Sequence, residues 1–64
     1  MKVIGLKRAV DVTVIKKLLQ KHMPNKDVNY INDKSKAISE GFTVQLDEDW
    51  ALEQDLKDLG VSVR

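Results

Sequence analysis

The 64-residue sequence contains no cysteine, one histidine and one proline, three glycines, and one each of phenylalanine, tyrosine and tryptophan. Without cysteine, no disulfide can staple the fold. With one histidine and no thiol, a zinc site of the Cys/His type is excluded as well. Long apolar runs are also missing. Val3-Ile4-Gly5-Leu6 is broken by Lys7-Arg8, too short for the apolar core of a signal peptide or for a membrane span. Together with the absence of cysteine, this points to a cytoplasmic protein that uses no membrane. The three glycines, at 5, 41 and 60, are far apart, so no glycine-rich phosphate loop exists.

What is present is 42% hydrophobic and 33% charged, and the apolar residues recur periodically, so the chain is expected to fold. Its length allows one domain, 1–64. A chain of this size buries only about 60% of the surface its unfolded form exposes, which favours close packing or self-association as a supplement. Net charge is +1 but unevenly spread. Residues 1–36 carry nine Lys/Arg against three Asp, whereas residues 37–64 carry two Lys/Arg against seven Asp/Glu. Such polarity either marks a basic binding face or lets the two halves attract one another.

Residues 2–7 read as an inner strand, with apolar side chains on both faces and Gly5 placed for a close approach by a helix or another backbone. Asp11 is a candidate N-cap, bonding to the amide of Thr13 or Val14. After it, Val12, Ile15, Leu18, Leu19, His22 and Met23 fall on one helical arc that Pro24 ends. Val28-Asn29-Tyr30-Ile31 reads as a strand and Asn32-Asp33-Lys34-Ser35 as a loop, with Ala37-Ile38 continuing the strand or beginning another. Gly41 suits positive φ or a bulge at a turn. Phe42-Thr43-Val44-Gln45-Leu46 alternates as a strand with Phe42, Val44 and Leu46 inward. A second helix starts near Asp47, carries the seam Leu52-Leu56-Leu59 and ends at Gly60, before a strand at 61–63.

This order, β-α-β-β-α-β, predicts a small α+β domain of the ferredoxin-like, split βαβ kind. It would be a two-layer sandwich with both helices on one face, helix-linked strands parallel and the middle strands an antiparallel hairpin. A three-stranded version follows if residues 28–38 stay irregular. The closing stretch from Leu52 to Arg64, with its Leu56-Lys57-Asp58-Leu59-Gly60-Val61 core, resembles the helix-glycine-strand ending of the C-terminal domain of the bacterial ribosomal stalk protein. The resemblance spans about a fifth of the chain and implies the same local fold there. That family's glycine-rich factor-binding helix has no counterpart in Thr13-Val14-Ile15-Lys16-Lys17, so no functional residue carries over.

Few residues invite chemistry. His22 sits within the apolar arc of the first helix, where burial of its ring explains it more simply than acid-base work. Asp47-Glu48-Asp49 lacks the spaced ligands of a cation loop and suits a helix start instead. No metal, cofactor or catalytic constellation is legible, and the expectation is a non-enzymatic protein-interaction or regulatory module, self-associating as a homodimer or bound to a larger protein. Trp50 lies opposite the leucine seam, either folded over the preceding loop or offered to a partner. Val3 and Ile31 are the candidates for an apolar sheet face left open by the helices. The competing expectation is nucleic-acid or ribosome binding through Lys7, Arg8, Lys16, Lys17 and Lys21, although the chain offers few aromatic rings for stacking.

Overall fold

The computed structural model describes residues 1–5 and 11–64. Along the chain these form β1 (Lys2–Ile4), α1 (Val12–His22), α2 (Val28–Ser39), β2 (Thr43–Gln45), α3 (Trp50–Asp58) and β3 (Ser62–Val63). The result is an α+β domain in which helices pack against a three-stranded antiparallel sheet ordered β2-β1-β3.

The central strand is β1, as its two apolar faces suggested. Val3 lies opposite Val44 on one side and Val63 on the other, while Ile4 faces Thr43 and Ser62. Because side chains alternate along a strand, Val3, Val44 and Val63 point toward the helices, and Lys2, Ile4, Thr43, Gln45 and Ser62 share the opposite face. The ladder extends beyond β1 at its start. Met1 and Leu46 exchange bonds of 2.7 and 3.0 Å, and Lys2 and Arg64 exchange two of 2.7 Å.

The helices supply most of the core. Ile15 and Leu19 from α1, Ile31 and Ile38 from α2, and Leu52 and Leu56 from α3 meet Val3, Val44, Leu46 and Val61. Asp11 caps α1 through the amide of Thr13 at 2.9 Å, and Met23, just past its end, is buried beneath the turn that Pro24 begins.

The region from Val28 to Ser39 corrects the expected strand–loop–strand reading. It is a continuous helix, capped at Asp27 through the amide of Asn29 at 2.7 Å. Its seam is Ile31, Ser35 and Ile38, spaced i, i+4, i+7, with a serine where an apolar residue would complete the period. Ser35 is fully buried, and its hydroxyl donates to the carbonyl of Ile31 at 2.6 Å, which satisfies the one polar group in that seam. Gly41, at φ +93°, closes the helix rather than a hairpin. Its amide donates to Ile38 O (3.2 Å) and that of Phe42 to Ala37 O (2.9 Å), the paired bonds of a Schellman ending. The same pair recurs after α3, from Gly60 to Lys57 O and from Val61 to Leu56 O.

The extra helix changes the topology. One helix between neighbouring strands returns the chain to the end where it began, giving a parallel pair; two helices bring it back at the other end. β2 therefore runs antiparallel to β1, and β3 does as well, so the expected parallel pairing with β1 and the middle hairpin are absent among the described residues. Among the described residues, three helices and three strands stand where the ferredoxin-like order had two helices and four strands.

Burial corrects two further expectations. Val3 is fully buried and Ile31 nearly so, both as core residues, because β1 turns Val3 toward the helices and α2 turns Ile31 toward the sheet. Neither lies on an open face. That face is polar apart from the half-buried Ile4, as an antiparallel sheet wetted on one side should be. Val44 and Leu46 point inward as expected, but Phe42 is exposed, lying before the start of β2 in the link of residues 40–42.

Gly5 bears out the expected close approach. A Cβ built there would lie 2.6 Å from Phe42 O and 2.7 Å from both Gly41 C and Ile38 O, all backbone atoms. The end of α2 thus crosses directly over the end of β1, pinned by a bond from Gly5 N to Phe42 O of 3.1 Å.

Candidate interaction surface

The link from β2 to α3 sets up the most distinctive part of the surface. Asp49, not Asp47, caps α3, its carboxylate accepting from the amide of Leu52 at 3.1 Å. Leu52 and Leu56 then lock the helix into the core. With that face fixed, position 50 looks outward, and Trp50 is 75% exposed.

Around Trp50 lies an open groove of about 240 Å³ lined by Met1, Glu48, Asp49, Trp50, Glu53 and Arg64. Its base is the start of the sheet, held by the exchanged bonds of Met1 with Leu46 and of Lys2 with Arg64. Three of the lining side chains are carboxylates and one is a guanidinium. Glu53 reaches Lys57 one turn along α3 at 3.8 Å, and Arg64 makes no ion pair among the described residues.

A second polar cluster joins α1 to α3. His22 Nε2 lies 2.6 Å from Asp55 Oδ2, with Asp49 Oδ2 4.0 Å from the other ring nitrogen. Lys21 Nζ approaches the same Asp55 oxygen at 3.7 Å. The His22 side chain is 11% exposed, so the ring is packed between helices and its polar edge is satisfied by a carboxylate. The hydrogen bond from His22, reinforced by the Lys21 charge, holds the Asp55 carboxyl below its ordinary value of 3.8 despite some desolvation. This arrangement has the form of a structural clasp. No hydroxyl or thiol nucleophile contacts it, and among the described residues no group of acids and histidines is placed to hold a metal.

The same contacts account for part of the charge polarity of the sequence. Lys21 with Asp55, His22 with Asp55, and Lys26 with Asp47 at 3.4 Å each join the basic first half to the acidic second half. Of the basic residues considered for nucleic acid, Lys17 and Lys21 are exposed and Lys16 half-buried, with Lys21 already facing Asp55. Lys7 and Arg8 lie outside the described residues.

The aromatic rings do not form a stacking platform. Tyr30 is half-buried beneath two ammonium groups, Lys26 at 5.3 Å and Lys34 at 5.4 Å from the ring centre. Phe42 is 61% exposed but sits against the far end of β1, beside Gly5, whereas Trp50 borders the groove that contains Met1. Among the described residues, no helix is long and apolar enough to cross a membrane. No family model matches the chain, and neither the curated proteins nor the solved structures contain a match.

Proposed function

We propose that this chain is a non-enzymatic protein-interaction module of the cytoplasm, which docks a larger protein or a second copy of itself through the surface around Trp50. The exposure of that one side chain carries the reading. An indole offers about 150–250 Å², so covering the three quarters now in water would contribute about 3–5 kcal/mol to association, before the entropy of docking is subtracted. Nothing in the packing demands that position 50 be aromatic, since Leu52 and Leu56 anchor α3 without it. Trp is also the residue type most enriched at the energetic centres of interfaces.

The test compares the native chain with Trp50→Ala in sedimentation and in affinity capture from cells of the source. Self-association or a captured protein that disappears in Trp50→Ala, with the unfolding midpoint unchanged, supports the proposal. A strictly monomeric chain that captures nothing, or capture indifferent to residue 50, refutes it.

Exposed Lys17 keeps the nucleic-acid reading as the second one. It predicts RNA or DNA binding that weakens steeply with salt and with Lys17→Glu. Lys17 is the cleaner site for charge reversal, because reversal at Lys21 would also disturb the contact with Asp55.

A further inference from the structure

We infer that the groove beside Trp50 takes a basic segment of a partner protein, with a lysine or arginine side chain laid across the indole and its charge among Glu48, Asp49 and Glu53. This rests on the reading of Trp50 as the docking residue and specifies what it docks.

Charge complementarity selects the occupant. Three carboxylates border the ring, against the guanidinium of Arg64 and the amino group of Met1. That amino group gives one N–H to Leu46 O at 2.7 Å, and the groove lining still carries one more negative than positive charge. Asp49 is committed through one oxygen to the amide of Leu52 and turns the other toward His22 at 4.0 Å, and Glu53 shares its charge with Lys57. Glu48 makes no ion pair among the described residues, which leaves it as the most available anion in the groove. The face of an indole attracts cations, most strongly when the cation is partly desolvated. An acidic peptide or a phosphate backbone would meet the same three carboxylates and be repelled.

Trp50 is the only tryptophan, so its fluorescence reports on this site alone. The experiment titrates the full chain with an end-blocked octapeptide alternating lysine and glycine, and separately with its glutamate–glycine counterpart. The expected result is a saturable change with the lysine peptide only, weakening as salt rises. Affinity should fall about tenfold or more in the Glu48→Gln, Glu53→Gln double variant. In Trp50→Leu, followed by calorimetry, it should fall about threefold or more. Equal responses to both peptides, indifference to the double variant, or no saturable response would overturn the inference. So would concentration-dependent self-association that Trp50→Leu abolishes, since a second copy would then be the occupant. If cellular capture depends on Trp50 while the lysine peptide fails to bind, only the basic occupant is refuted and the docking role of Trp50 stands.

Discussion

Replacing Gly5 with alanine tests the packing of the domain at its tightest point. The new methyl would lie 2.6 Å from Phe42 O and 2.7 Å from two further backbone atoms, whereas ordinary contact begins at 3.4 Å. Relief therefore requires a retreat of about 0.7–0.8 Å by the end of α2, which its two Schellman bonds hold rigid, or by β1, which two neighbouring strands hold in register. Overpacking of this kind costs about 1–3 kcal/mol, and separating Gly5 N from Phe42 O costs about 1 kcal/mol more. The total of about 2–4 kcal/mol is a large share of the roughly 3–10 kcal/mol expected for a domain of this length. Thermal unfolding followed by circular dichroism should show the midpoint lowered by about 10–30 °C. Gly60→Ala is the matched control. A Cβ there has no atom within 4 Å, so only the left-handed backbone at φ +91° is penalised, by about 1–2 kcal/mol. A Gly5→Ala protein melting within about 2 °C of the parent, or above Gly60→Ala, would refute the crossing described between α2 and β1.

Two other substitutions probe separate parts of the structure. Ser35→Ala removes a buried hydroxyl bonded only to its own helix, while alanine favours the helix by up to about 0.7 kcal/mol. Urea unfolding should therefore give a stability equal to the parent or slightly higher, and a loss above about 1.5 kcal/mol would contradict the back-bonded geometry. Asp55→Asn tests the clasp on α1. A carboxyl held below 3.8 in the folded state stabilises the fold at neutral pH, and that contribution fades as pH falls from 3.8 through the lower native value. The parent should thus melt above Asp55→Asn at neutral pH, and the difference should shrink to nothing at strongly acid pH. A difference independent of pH down to that range would exclude a charge-based role for Asp55.

Several of these features are legible in the residues themselves. Asp11 as a cap, the arc from Ile15 to Met23, the leucine seam of α3 and the centrality of β1 follow from local periodicity and capping, and the packing preserves them, whereas Val12, the first residue of the expected arc, is exposed. α2 was hidden by Ser35. A polar residue at the middle of the seam leaves Ile31 and Ile38 as isolated apolar points, and Val28-Asn29-Tyr30-Ile31 then imitates a strand. Two signals could have revealed it: Asp27 as an N-cap, and the likeness of Glu40-Gly41-Phe42 to Leu59-Gly60-Val61, each a glycine followed by an apolar residue at a helix end. With a strand in place of that helix, the expected strand directions and the assignment of Val3 and Ile31 to an open face do not hold. The seam places Trp50 opposite Leu52 and Leu56 but leaves open whether the ring folds over the preceding loop; the structure shows it exposed. The groove could not be read the same way. It depends on the sheet pairing that brings Met1 and Arg64 beside the start of α3, contacts distant in sequence.

Site-specific photo-crosslinking in living cells tests the central claim most directly, with a photoreactive aromatic residue at position 50 and a control at Thr43 on the polar sheet face. The account predicts discrete protein adducts from position 50 and none from position 43. Adducts from position 43 alone, or none from either, would contradict a docking surface centred on Trp50.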